Sequence, residues 1–371
     1  MKIIDIATQH YDELYNAESL RAKCRELAEQ YAVDKTAIRK HFYKLRKERE
    51  HSALYDFADK NGFDASQVNH YWYKGKSISA HVKPEQITYD EIKQELIDEL
   101  KNYSPKYPKL QYKKTSEPHL LLIDPADVHI GKLATFIETG DEYNTQIACE
   151  RVINGVEGIL NKAKGFDIDQ ILFVGGNDIL HIDTPKRTTT SGTPQDTDGM
   201  WYENFTAAKE IYIKALETLV TVAPVHFVFN PSNHDYTNGF FLADVIQTWF
   251  RKHPNITFDC SISHRKYYRY YDNLIGTTHG DGAKQQDLPL LMANEAKVDW
   301  ASSTYRYVYT HHVHHKTAKD FAGVSVESLR SPSGADSWHH RNGYQHAPKA
   351  IEGFIHSRDK GQIARLTHYF V

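Results

Sequence analysis

The chain has only three cysteines in 371 residues, Cys24, Cys149 and Cys260, and no two lie at Cys-x-x-Cys spacing. That scarcity excludes a disulfide scaffold and a cysteine-built zinc site, and it suits a reducing compartment such as the cytoplasm. Long apolar runs are also missing. None approaches the roughly 20 residues that span a bilayer, so no membrane partner is expected. The opening stretch MKIIDIATQHYDELYN acquires acidic residues too early for a secretory signal. Charge of one sign is lacking as well: the formal net charge is −3. With no global positive field, any binding of nucleic acid has to come from a local patch. What the chain has in quantity is histidine, 22 residues, and tyrosine, 24, on an otherwise ordinary globular composition of 25% charged and 40% hydrophobic residues.

Upstream of about residue 104 the pattern is helical and charged. SLRAKCRELAEQYAVDKTAIRKHFYKLRKERE (19–50) holds two helical periods broken at YAVDK. Leu20, Cys24, Leu27 and Ala28 recur at helical spacing, then Ile38, Phe42 and Leu45, and Asp34 or Thr36 is suited to cap the second helix. A similar rhythm follows over 53–77, broken at NGFD with a new helix opening at Ala65–Ser66, and ITYDEIKQELIDELKNY (87–103) is a clear amphipathic helix. Helix, short turn and basic helix is the grammar of helix-turn-helix DNA binders. Lys35, Arg39, Lys40, Lys44, Arg46 and Lys47 crowd the second helix, with Arg49 beyond them and Glu48 as the single acid, and they are the expected DNA contacts. Tyr71, Trp72, Tyr73, Lys74 and Lys76 add an aromatic and basic cluster suited to a backbone or a base. The rival for the same helices is a bundle serving dimerisation or docking, which keeps a homodimer among the expectations. SPKYPKLQYKKTSEP, with three prolines and four lysines, then reads as a linker. The expected organisation is a helical region over 1–103, a linker over 104–117 and a second domain over 118–371.

Beyond the linker, short apolar runs that fit buried strands alternate with helical periods, and strands dominate from about 255. This is an α/β sheet covered by helices, in which functional residues collect at the carboxyl ends of strands. The run ends are chemically alike. HLLLIDPADVHIG delivers Asp127 and His129; DQILFVGGND leads to Asn177, Asp178 and His181; PVHFVFNPSNHD ends in Asn233, His234 and Asp235. NLIGTTHGDG ends in His279 and Asp281, and YRYVYTHHVHH in His311, His312, His314 and His315. One Asp-x-His is commonplace and most often a loop contact, but five ordered elements with the same donors are specific. Mixed oxygen and imidazole donors without thiolate favour Mn, Fe or Zn. Two ions roughly 4 Å apart can acidify a water and clamp a phosphoryl group, and a carboxylate is the natural bridge between them.

In its motif order, Asp-x-His, Asp-x-x-His, Asn-His-Asp, His and His-x-His, the chain resembles the calcineurin-like metallophosphoesterases over about residues 118–320. The resemblance implies an α/β fold, an αββα sandwich of two mixed sheets flanked by helices. It also implies two divalent metal ions, with manganese expected and iron or zinc as alternatives. By the same resemblance Asp127 and His129 bind one ion, Asp178 bridges, Asn233, His279 and His312 bind the second, and His314 returns to the first. His234 matches the family's catalytic histidine. His181, completing DILH, resembles the transition-state-supporting histidine of the DNA-repair nuclease branch. Asp235 and Asp281 are expected to orient their neighbours. Similar architectures occur in phosphoesterases of bacterial viruses. The expected function is therefore a two-metal phosphodiesterase, foremost a DNA nuclease. The rivals are a phosphomonoesterase or cyclic-nucleotide phosphodiesterase, and a DNA-binding regulator with the fold as a scaffold.

Three positions depart from the family: Asn177, Ser232 and His311 stand where it has glycine. Strand alternation would place His312 and His314 on one face and His311, Val313 and His315 on the other. The polar stretch over 183–205 is expected to be a loop whose Lys186, Arg187 and Thr188–Thr190 meet a phosphodiester backbone.

Overall fold

The structure, a computed structural model, describes residues 2–46, 71–74, 79–82, 93–98, 107–108, 110–112 and 116–370. By contacts the chain forms two compact units, Met1–Thr88 and Tyr89–Val371.

The first unit opens with α1 (Ile3–Gln9), α2 (Tyr11–Tyr15), α3 (Leu20–Tyr31) and α4, described over 35–46. The Ser19 hydroxyl caps α3 by accepting from the Ala22 amide, and Ala32 ends that helix in the left-handed region. Asp34 then accepts from the Thr36 amide at the start of α4, as its position before the helix suggested. The expected apolar stripes meet: Cys24 and Leu27 of α3 and Ile38 and Phe42 of α4 are buried with Ile6, Tyr11 and Leu14. Where a helical rhythm was expected over 53–77, Tyr71–Lys74 instead forms β1, paired antiparallel with β2 (Ser79–Val82). Three consecutive aromatics favour an extended chain over a helix. Residues 53–70, Lys47 and Arg49 lie outside the described residues.

The second unit holds α5, described over 93–98, and two mixed sheets. The six-stranded sheet has the order β13 (Gly361–Tyr369), β12 (Ala350–Ser357), β3 (His119–Asp124), β4 (Ile168–Gly176), β5 (Val225–Asn230), β6 (Ile256–Asp259). Its β3 to β6 run parallel, and β12 closes antiparallel on β3. The five-stranded sheet has the order β10 (Thr317–Phe321), β11 (Val324–Ser328), β9 (Tyr305–Thr310), β8 (Asn273–Thr278), β7 (Arg265–Tyr270).

The period of two in each strand sorts its residues into layers. Leu121 and Ile123, with Ile171, Phe173, Phe227 and Phe229, face the helices α7 (Thr145–Ala163), α8 (Trp201–Val220) and α9 (Tyr236–Trp249). Leu120, Leu122, Leu172 and Val174 point the other way, against Tyr270, Ile275 and Tyr309 of the second sheet. That sheet's far face, including Leu274, Val308 and Val326, is covered by Leu288 and Met292 of α10 (Leu288–Glu295), which leads into α11 (Lys297–Ala301). The result is the αββα sandwich that the resemblance implies, with α10 and α11 inside the stretch where strands were expected to dominate. On α7, Val152, Val156 and Ile159 are buried as their spacing requires, each worth roughly 2 kcal/mol in apolar burial. Asn144 caps this helix by accepting from the Ile147 amide at 2.9 Å.

Tyr107, Leu110 and Tyr112 pack on this unit. Tyr107 and Leu110 lie against the main core, the Tyr107 hydroxyl donates to the Trp249 carbonyl, and the Tyr112 hydroxyl donates to that of Val220. Among the described residues no helix is long and apolar enough to cross a membrane.

Candidate metal centre

The loops after β3, β4 and β5 and those after β8 and β9 meet where the two sheets face each other. The first two are laced together along their backbones: the Asp127 amide donates to Asn177, His129 to Asp178 and Ile130 to Ile179, at 2.7–2.9 Å. These loops turn sharply, and Asp127, His129, Asn177, Asp178, His312 and His314 all have φ between 51° and 72°. A left-handed backbone costs a residue other than glycine roughly 1–2 kcal/mol, with asparagine and aspartate tolerating it best, and such residues gather at functional sites.

The side chains so aimed form two groups. Asp127, His129 and His314 place one ligand atom each within 4.8 Å of the others, and Asp178, His279 and His312 do the same. Asn233 joins the second group, its Oδ1 2.8 Å from His279 Nε2. Asp178 Oδ2 lies between the groups, 3.9 Å from His129 Nε2 and 3.3 Å from His279 Nε2. A third grouping, His129, His181 and His234, shares His129 with the first. All seven residues expected as ligands are therefore together, with His181 and His234 beside them.

The donor set suits divalent cations. The Nε2 atoms of His129 and His314 are 3.2 Å apart. Bond lengths near 2.1 Å would set neighbouring ligand atoms about 3.0–3.5 Å apart around one ion. His279 Nδ1 is buried without a hydrogen-bond partner, 3.9 Å from Asp127 Oδ1. The electrostatics agree. Burial, then the charge of Asp178, push the Asp127 carboxyl up to about 7. Burial works against Asp178 too, but His279 and His234 outweigh it and hold this carboxyl well below the usual range. Burial also opposes charge on His279, yet Asp178 and Asp127 push it up to about 9. His129, His181 and His314 are held well down by burial, reinforced by neighbouring positive charge, so each keeps a free lone pair.

Around this centre His234 is fixed on both sides. Its amide donates to Asp178 Oδ1 at 3.0 Å and its Nδ1 donates to the His181 carbonyl at 2.9 Å, which leaves Nε2 free. The His181 ring stacks beside it, centroids 5.2 Å apart. Asp235 is buried, accepts from the Leu180 amide and from Ser232 Oγ, and is pushed up to about 7 by burial and then by Asp178. Asp235 thus links the Leu180 amide to the Ser232 hydroxyl. Ser232 also receives the Asp178 amide at 2.7 Å.

His312 and His314 converge for a reason other than strand alternation. β9 ends at Thr310, and the two histidines come from a turn in which both are left-handed. Neither Ser232 nor His311 needs a glycine backbone; of the three departures only Asn177 is left-handed. His311 is buried, with Nδ1 3.1 Å from the Thr278 carbonyl and Nε2 2.9 Å from Asp124 Oδ2.

The loop over 183–200 is held in place. Asp183 accepts from the Thr237 and Asn238 amides at the start of α9 and from Thr190 Oγ, and Lys186 and Arg187 are exposed. Of the basic residues on α4, Lys35, Lys40 and Lys44 are exposed, Arg39 is half-buried, and Arg46 lies over the Tyr15 ring. Lys47 is outside the described residues.

Sequence reasoning missed Lys132, Asp336 and His339. Lys132 is fully buried, its Nζ 2.9 Å from Asp336 Oδ2. Asp336 in turn accepts from His339 Nδ1 at 2.7 Å, and the His339 ring stacks on His314. A lysine three residues after His129 was the only hint.

No family model matches the chain, and no curated protein does. Among solved structures it is similar to an archaeal phosphodiesterase, at 10% identity and a TM-score of 0.32 over 68% of this chain and 99% of that one. It is also similar to a predicted phosphoesterase from Streptococcus pneumoniae, at 11% identity and a TM-score of 0.27 over 69% and 99% of the two chains. A zinc complex of Vps29 from Entamoeba histolytica is similar at 13% and 0.28, over 68% and 99%.

Proposed function

We propose that the chain is a two-metal phosphodiesterase of the calcineurin-like type and that its substrate is nucleic acid, foremost DNA. The observation that carries the reading is the position of Asp178 Oδ2, one carboxylate oxygen facing both ligand groups. Asp127, His129 and His314 would hold one cation, Asn233, His279 and His312 the other, with Asp178 shared. Bound there, two divalent ions supply an acidified water and positive charge for the phosphoryl oxygens. Manganese fits the mixed oxygen and imidazole donors, as iron or zinc would.

The chain's own residues do the rest. His234, its Nδ1–H committed to the His181 carbonyl, would as an imidazolium donate from Nε2–H to a non-bridging phosphoryl oxygen or hand that proton to the leaving oxygen. His181 holds that ring from behind. Exposed Lys35, Lys40 and Lys44 on the helix after a short turn support carriage to DNA by the first unit.

Full-length protein with Mn²⁺ is expected to hydrolyse bis-p-nitrophenyl phosphate, and a chelator to stop it. Asp178→Asn and His234→Ala should each lower kcat by at least about a hundredfold without changing the melting temperature by more than a few degrees. Turnover that survives both substitutions would overturn the site assignment. A panel of single- and double-stranded DNA, RNA, cyclic nucleotides and monoesters then separates a nuclease from a small-ester hydrolase.

A further inference from the structure

We infer that Trp338 and Tyr344 form a nucleobase-stacking subsite on the rim of this centre; the inference rests on the phosphodiesterase reading and names its substrate class. Both side chains are in the stretch DSWHHRNGYQH, which includes the short helix α12 (Ser337–Asn342). Asp336 fixes the start of this helix by accepting from the amide and the Nδ1 of His339 while it faces the buried Lys132. Gly343, at φ 76°, reverses the chain, and the Tyr344 amide returns to the His339 carbonyl at 2.9 Å. That position needs glycine's conformational freedom.

The turn sets up a continuous run of rings. His339 lies flat on His314, with centroids 5.0 Å apart and planes 13° from parallel. Trp338 stands edge-on to His339 at 5.1 Å, and Tyr344 is 5.7 Å from Trp338. The run starts at a residue of the metal-ligand group and ends in two large aromatics that are 60% and 63% exposed. The short helix α6 (Phe136–Thr139) lies near α12 and exposes Phe136 and Ile137 as well, 70% and 100%. Scattered exposed hydrophobics need no explanation, but two adjoining exposed aromatics at the end of a run of rings from the site mark a binding surface.

The occupant follows from continuity with the centre. A phosphodiester held by the two ligand groups places the neighbouring sugar and base at the rim, where His339 leads to Trp338. A nucleobase offers a π-face whatever its identity, and stacking on an aromatic side chain is worth about 1–3 kcal/mol per base. Arg341 on the same helix is exposed as well. A phosphopeptide or a lipid headgroup would not show a preference for bases.

The test is fluorescence anisotropy on the full chain, with Ca²⁺ replacing Mn²⁺ to slow hydrolysis. Fluorescein-labelled octathymidylate is compared with an abasic octamer carrying the same number of phosphates. Wild type should bind the base-bearing strand at least about fivefold more tightly. Trp338→Leu combined with Tyr344→Leu should erase that preference, and Trp338→Phe should keep it. Equal binding of the two octamers by wild type, or a preference that survives the double substitution, overturns the subsite. Competition by thymidine 5′-monophosphate assigns the pocket to a free nucleotide if it matches the oligomer per base, and to a strand if it is weaker. Hydrolysis of bis-p-nitrophenyl phosphate is followed in parallel. Equal binding of the two octamers by wild type with hydrolysis intact removes this inference alone, whereas absence of hydrolysis in wild type removes the functional reading beneath it.

Discussion

His311 shows how much one side chain carries. Its ring joins Asp124, three residues before Asp127, to the Thr278 carbonyl, one residue before His279, and its amide donates to the His279 carbonyl at 2.8 Å. The first set of ligands and the second are thus tied through a single imidazole. His311→Ala would leave a buried carboxylate without its partner, so a loss of about 3 kcal/mol in urea unfolding is expected, together with weaker metal binding by titration calorimetry. A second histidine sets the response to acid. Burial holds His356 down to about 3 from an ordinary 6.5. Between those values the unfolded chain takes up a proton that the folded one refuses, so stability falls as pH falls through that window. His356→Gln cannot titrate, and its stability should fall less steeply than wild type between pH 6 and 4, by roughly 2–3 kcal/mol in denaturant unfolding. At this scale the ligand candidates were legible, because apolar runs ending in carboxylate and imidazole are rare in ordered sets. Lys132, Asp336 and His339 were not, because their link is a contact between segments far apart in sequence, and nothing local marks it.

The elements around the centre are tuned for aim over ease of folding. Five of the expected ligands, Asp127, His129, Asp178, His312 and His314, sit on left-handed backbone. The buried strands behind them hold these turns in place. The start of α9 shows a related device. Its second and third amides are satisfied by Asp183, which reaches in from the polar loop after β4. Asp183→Ala should therefore cost about 1–2 kcal/mol and release the loop, which limited proteolysis within 184–200 would report as faster cleavage than in wild type. Helical periods and capping residues made α3, α4, α7, α8 and α9 legible. The β1–β2 pairing was not, since its aromatics sit in a charged stretch that also fits a helical period. The short helices α10 and α11 were hidden in a stretch dominated by strand-like runs.

At the scale of the whole chain, the second unit begins by contact at Tyr89, and Tyr107, Leu110 and Tyr112 are built into it. A protein starting at Tyr89 is expected to keep the melting temperature of the second unit, whereas one starting at Ser116 should melt several degrees lower for want of those contacts. If the first unit carries DNA, the Tyr89 form should also lose affinity in a gel shift; affinity equal to the full chain would sink that assignment. A helix-covered α/β sheet was legible as alternating buried strands and helices, and the pairing of two sheets followed only from the family resemblance. Its closure was not, because no local pattern says that β12 inserts between β13 and β3.

That closure sets a schedule for the ribosome. β3, the strand that leads into the first ligand loop, finds its antiparallel neighbour only when residues 352–357 have emerged, long after 119–124. Until then one side of the strand has no partner, although every ligand has already been synthesised. The centre is therefore completed last by a segment that contributes no ligand to it, and a nascent chain stalled before β12 would wait with an open strand edge and need shielding from its neighbours.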